Sequence, residues 1–161
     1  MIRPVTQTDK PALLDLAHRM HAASRYADRV PVDSNYATGL FDRLLAAQAR
    51  HGEPGAAFLR LSHHAGQATG FVVGTLDRVY HLGPADRLRA TDLFLFHDGS
   101  GDRRDGVRLL DAYLGWAEAQ PNVIEVWAGV TDGIADHRRV GRLYHRRGFE
   151  PFGAIYRKDL K

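Results

Sequence analysis

The stretch from Ala90 to Val130 constrains the fold most, because it places a strand, a hard break, a helix and a second strand in close succession. Ala90 to His97 alternates and is rich in Leu and Phe, as a half-buried strand requires. Asp98-Gly99-Ser100-Gly101 breaks it. Asp105 to Ala119 then carries Val107, Leu110, Leu114 and Ala117 at helical spacing, and Pro121 stops the helix. Val123 to Val130 reads as the next strand, Ala135 to Arg147 as a helix and Ile155 to Leu160 as a last strand. Strands alternating with helices in this way imply a mixed sheet covered by helices.

The first half supplies the rest of that sheet. Ile2 to Val5 is a short strand; Thr8 as N-cap and Pro11 in the first turn open a helix carrying Leu13, Leu14, Leu16, Ala17 and Met20. A second helix runs from about Asn35 to Arg50 and ends at Gly52-Glu53-Pro54-Gly55. Ala57 to Leu61 and Thr69 to Leu76 form a hairpin across a His63 to Gln67 turn, and Leu82 to Arg87 is a loop. The order is β, α, α, β, β, β, α, β, α, β, with no internal repeat and no low-complexity linker, so residues 1–161 are expected to form one domain.

The apolar runs are too short to cross a bilayer, and Met1-Ile2-Arg3-Pro4 leads straight into strand-like sequence without a signal-peptide core, which predicts a cytoplasmic protein with no membrane partner. No cysteine is present, so disulfides, thiolate metal sites and an acyl-cysteine intermediate are excluded. The formal charge is only +3, but residues 137 to 147 hold five arginines and two histidines with no acid. Such a face suits an anionic small ligand at least as well as nucleic acid. Among the nine histidines, His18 and His21 share a helical face, while His63 and His64, adjacent in sequence, point to opposite faces of a strand. No H-E-x-x-H or facial triad appears, and no metal is expected.

Two segments carry chemistry. Arg103-Arg104-Asp105-Gly106-Val107-Arg108 lies between a strand and a helix, where free N–H groups, a close-approach glycine and arginines make a seat for a pyrophosphate. His137-Arg138-Arg139-Val140-Gly141-Arg142-Leu143-Tyr144-His145-Arg146-Arg147-Gly148-Phe149 reads as a basic helix bearing one tyrosine and halted by Gly148-Phe149.

The first segment resembles the Q/R-x-x-G-x-G/A acyl-coenzyme A motif of the GNAT N-acetyltransferase superfamily, with Arg103 and Gly106 in register and Arg108 where the last small residue belongs. His97 stands where a proline often follows the strand, and Asp102 and Asp105 add negative charge to the loop. The second is similar to N-x-x-A-x-x-L-Y-x-x-x-G-F: His137 and Val140 replace Asn and Ala, while Leu143, Tyr144, Gly148 and Phe149 match. Both motifs occur in the family's order with a strand between them.

The resemblance implies a mixed, mostly antiparallel central sheet flanked by helices, with two splayed central strands. It implies acetyl-coenzyme A as co-substrate, held by the backbone of Leu93, Phe94, Leu95 and Phe96, by Arg103 to Arg108, and by His137 and Tyr144 on the last helix. Tyr144 would protonate the departing thiolate, and its phenol, with a reference pKa of about 10, carries a proton at neutral pH. Of the other arginines, Arg146 and Arg147 read as a solvated helix end.

Direct transfer needs a neutral amine. Deprotonating a lysine-like amine at pH 7 costs about 4.6 kcal/mol, against about 1 for an α-amine, so the base matters most for a lysine-like acceptor. Asp92 lies in the region of the coenzyme strand where family members keep a carboxylate, and Glu125 on the neighbouring strand is the second candidate; His81 and His97 could act through water. The acceptor would enter over the segments Ser24 to Asn35 and His81 to Ala90, with Tyr26, Tyr36 and Tyr80 in position to line its path. A GNAT-like module that only binds is the second reading. A nucleic-acid-binding domain ranks last, because the arginine helix lacks interleaved aromatics and no nucleic-acid motif is present. Pairing of the last strand within the chain or with a second copy leaves a homodimer open.

Overall fold

The computed structural model describes residues 1–130, 133–134 and 136–159, which fall into two compact units, Met1–Gly129 and Val130–Lys161. The first holds a five-stranded sheet in the order β1-β2-β3-β4-β5, formed by Ile2–Pro4, Ala57–His64, Gln67–Arg78, Leu88–His97 and Val123–Trp127. All neighbours are antiparallel except β4 and β5, which run parallel and are connected through α3, Asp105–Glu118. The remaining helices of this unit are α1, Lys10–Ala22, and α2, Ser34–Ala47. No helix among the described residues is long and apolar enough to cross a membrane.

The sheet has two distinct faces. Leu13 and Leu16 of α1 and Phe41, Leu44 and Leu45 of α2 pack with Leu59, Leu61, Phe71, Val73 and Phe96, all buried, on one face. Because strand side chains alternate, the intervening residues meet α3 on the other. Phe58 stacks on Trp116 with ring centroids 5.2 Å apart, and a Cβ added at Gly74 would lie 2.5 Å from the buried Tyr113 ring. At Gly74 the helix side chains leave no room for a Cβ, which is the reason a glycine sits inside the strand.

The helix starts follow local hydrogen bonding more closely than composition. Asp33 caps α2, accepting from the Tyr36 N–H at 2.9 Å, so that helix starts one residue before Asn35 and frays after Ala47 rather than at Arg50. Thr8 is not the α1 cap: a short 3-10 turn, Gln7–Asp9, precedes the helix, and Asp9 spends its carboxylate on a bidentate pair with Arg3 at 2.6 and 2.7 Å. The β2–β3 hairpin turns on Ala65 and Gly66, both at positive φ (48° and 80°), which twists the chain to suit the two strands and lets both run longer than their apolar cores.

In the second unit the described helix is α4, His137–His145. Its expected first residue, Ala135, lies outside the described residues. The expected last strand is not formed over Ile155 to Asp159: the segment 151–159 has no regular structure and every residue in it is exposed, while Leu160 lies outside the described residues. Residues of high β propensity form a strand only where an edge accepts them.

Candidate active site

The parallel pairing of β4 and β5 runs Leu88–Val123, Arg89–Glu125, Ala90–Val126 and Thr91–Trp127, and stops there. β5 ends at Trp127, three residues before the expected Val130, whereas β4 continues to His97 paired only with β3. β4 and the edge strand β5 therefore fork, and among the described residues the β4 backbone beyond Thr91 has no strand partner on the β5 side. At the fork β4 also bulges: Gly74 pairs with Asp92 and Val73 with Phe94, leaving Leu93 as the extra, exposed residue. A bulge leaves backbone groups out of the ladder and re-aims its neighbours.

Two hydrogen bonds fix the departing strand. The Tyr113 hydroxyl donates to the Trp127 carbonyl at 2.9 Å, and the Gly129 N–H donates to Asp92 Oδ1 at 2.8 Å. Asp92 is half-buried beside this opening. Desolvation pushes its carboxyl up to about 6, against the opposing effect of the Gly129 N–H, so it titrates close to neutrality. Few carboxylates are so placed, and a perturbed acid in a cleft is a candidate for proton transfer.

Glu125 stands on the opposite face. Thr91 pairs with Thr75, one residue from Gly74, and Trp127 pairs with Thr91. Thr91, Trp127 and Glu125 thus share the α1/α2 side, whereas Asp92, opposite Gly74, shares the α3 side. The two expected bases do not converge on one point. Glu125 faces Arg89 at 3.8 Å.

At the far end of β4, α3 begins at Asp105 with Arg104 as a cap that uses no side-chain hydrogen bond. Among the described residues, no loop carbonyl or side chain accepts from the Gly106 and Val107 N–H groups, which are the orphan donors of a helix start. Arg103 and Arg104 are exposed beside them. Arg108 is committed elsewhere: it donates to Asp102 at 2.7 Å and to the buried Asp105 at 2.8 Å. These contacts raise the Arg108 pKa, the Asp105 bond first, while the Arg104 N–H, ahead of Arg108, holds Asp102 low. The acids in this loop are therefore internal struts that offset Arg108. A Cβ on Gly106 would meet only the His97 Cβ at 3.6 Å, an ordinary contact, and the His97 Nδ1 accepts from the Gly99 N–H.

In the second unit, Asp136 caps α4, accepting from the N–H groups of Arg138 and Arg139 at 2.8 and 3.3 Å. Tyr144 is buried, with its ring centroid 5.3 Å from that of Phe149. Gly148, at φ 83°, reverses the chain so that the Phe149 N–H reaches the Tyr144 carbonyl at 3.2 Å. The Leu-Tyr-x-x-x-Gly-Phe pattern is thus a helix stop that presses Phe149 against Tyr144. His137, Arg138, Arg139, Arg142, Arg146 and Arg147 are exposed.

Sequence reasoning passed over Arg89, Trp127, Tyr113 and Gly129. Only Gly74, a glycine inside a strand, signalled the close approach that places Tyr113.

The forked β4–β5 pair, the bulge on β4 and the helix start beyond that strand belong to a fold shared with solved acetyltransferase structures. The aminoglycoside acetyltransferase AAC(6')-Iy, in complex with a coenzyme A bisubstrate analogue, superposes with a TM-score of 0.68 at 19% identity, over 99% of this chain and 98% of that one. AAC(6')-IG from Acinetobacter haemolyticus gives 0.69 at 14% over 100% and 98%, and a ribosomal-protein-alanine N-acetyltransferase from Brucella melitensis biovar Abortus 2308 gives 0.65 at 16% over 99% of each chain. No protein-family model and no curated protein matches the sequence.

Proposed function

We propose that this chain is an acetyl-coenzyme A-dependent N-acetyltransferase in which residues 1–161 act as one catalytic domain and the acyl group passes directly to an amine. The observation that carries this reading is the fork: an unpaired, bulged β4 edge opens beside a carboxylate raised to about 6. The residues suit the co-substrate. The edge of β4 from Leu93 to Phe96 that faces away from β3 offers strand-like hydrogen bonds to the amides of pantetheine, and the Gly106 and Val107 N–H groups with Arg103 and Arg104 offer donors to a pyrophosphate. Bound acetyl-coenzyme A supplies the activated acyl carbon. Asp92, ionised above about pH 6, accepts the proton that the attacking amine loses, directly or through one water. Tyr144, by its place in the resembling motif, is the acid that protonates the leaving thiolate. A carboxyl near 6 is mismatched to a lysine ammonium by about 4.4 pKa units and to an α-ammonium by about 2, which favours a weakly basic or α-amine acceptor.

Titration calorimetry with acetyl-coenzyme A tests the co-substrate. Micromolar affinity is expected, falling at least about tenfold in Gly106→Glu, whose carboxylate brings charge and bulk to the phosphate seat. Tyr144→Phe should slow turnover at least about tenfold while leaving coenzyme affinity nearly unchanged, since only the hydroxyl is lost; unchanged turnover removes Tyr144 from the acid role. A second reading, a GNAT-like fold that has lost acyl-coenzyme A and serves by interaction, is favoured by one observation, the Asp102 and Asp105 carboxylates beside the phosphate seat. Absence of binding at millimolar acetyl-coenzyme A would support it.

A further inference from the structure

α1 and α2 cover β2, β3 and the Phe94 and Phe96 end of β4, whereas on the same face the β4–β5 pairing itself carries, among the described residues, Arg89, Thr91, Glu125 and Trp127. Arg89 is the unusual one. Its side chain is only 17% exposed, its guanidinium lies 3.8 Å from the centroid of the Trp127 ring, and Glu125 is 3.8 Å away, beyond hydrogen-bond reach. None of its N–H groups has a hydrogen-bond partner among the described residues, and its Nε is fully buried. Thr91 Oγ1, two residues along the same strand and on the same face, is also buried and unpaired. Buried polar groups are almost always satisfied, and a guanidinium most of all. Here the ring holds the cation by stacking, which orients the five donors without using any.

From this arrangement we infer that Arg89, with Thr91, binds a carboxylate on the amine acceptor, so that the substrate class is amines of the amino-acid type. A guanidinium held over a ring with its donors unspent meets a carboxylate with two parallel bonds. The nearby Glu125 already offsets one positive charge, so a singly charged carboxylate fits better than a phosphate dianion. The position is also apt: Trp127 is the last paired residue of β5, so the guanidinium stacked on it lies at the mouth of the fork. This anchor lies on the α1/α2 face and Asp92 on the other, so an acceptor held there reaches the base through the open fork. The inference rests on the acetyltransferase reading for its reaction but not for its binding site.

The experiment has two independent readouts. Coenzyme release is followed with phenylalanine against phenethylamine, histidine against histamine and lysine against cadaverine, in the wild type and in Arg89→Met. At least one amino acid is expected to exceed its decarboxylated partner in kcat/KM by about 50-fold or more, and Arg89→Met to abolish that preference, mainly through KM, with acetyl-coenzyme A affinity unchanged. Separately, tryptophan fluorescence is titrated with the same non-indole ligands without coenzyme. Amino acids should perturb it in the wild type and not in Arg89→Met. Amines that match or outperform their amino acids in both readouts would overturn the assignment. Arg89-dependent amino-acid binding in a protein that does not bind acetyl-coenzyme A would uphold the carboxylate site and reject the acetyltransferase reading instead.

Discussion

Asp92→Asn is expected to lower kcat/KM by about 10² to 10⁴ and to remove the acid limb of its pH profile. The wild-type limb should rise with pH through about 6, because below that the carboxyl is protonated and cannot accept a proton from the amine. The substitution keeps an oxygen to accept the Gly129 N–H, so the fork should stay in place. Its effect on stability has the opposite sign to its effect on activity. A carboxyl raised in the folded state stabilises the fold most when protonated; that contribution is whole below the unfolded value near 3.9 and is lost as pH rises through about 6. Asparagine has nothing to ionise, so at pH 8 the variant should be at least as stable as the wild type. A loss of activity joined to unchanged or higher Tm separates a catalytic carboxylate from a structural one. A variant within a few-fold of wild type, with the limb intact, would eliminate Asp92 as the base and turn attention to Glu125.

Gly74→Ala should be among the most destabilising small substitutions in the chain. Its Cβ would lie 2.5 and 2.7 Å from two atoms of the Tyr113 ring, and that ring is fully buried between the sheet and Trp116. Overpacking of this kind costs about 1–3 kcal/mol, or roughly 4–8 °C in Tm for about 2 kcal/mol in a chain of this size. Tyr113 also donates to the Trp127 carbonyl, so displacing it loosens the strand end that forms the fork, and activity should fall further than stability alone predicts. Gly115→Ala is the control: nothing lies within 4 Å of its added Cβ, and an alanine in α3 should be neutral or stabilising. Equal melting temperatures for the two variants would refute the close approach at Gly74.

The candidate site was partly legible in the sequence. The Gly99 and Gly101 break after a Leu- and Phe-rich strand located the helix start, and Leu143, Tyr144, Gly148 and Phe149 identified a helix stop bearing a phenol, because these depend on turn and cap chemistry within a few residues. The role of Arg108 was not legible. In sequence it is one more arginine near a phosphate loop, whereas in the fold it spans Asp102 and Asp105. The same holds for Asp105, which reads as a surface acid but is buried.

What the sequence alone determined was the order of elements as far as α4, their approximate limits and the positions where the chain must turn, since hydrophobic period and glycine conformation are local properties. Tertiary structure alone decided where β5 parts from β4, that Asp92 and Glu125 fall on opposite faces, and that the half-buried Arg89 lies over Trp127 with its Nε unpaired. Each of these depends on register between strands far apart in the chain, and a shift of one residue in register exchanges the two faces of a strand.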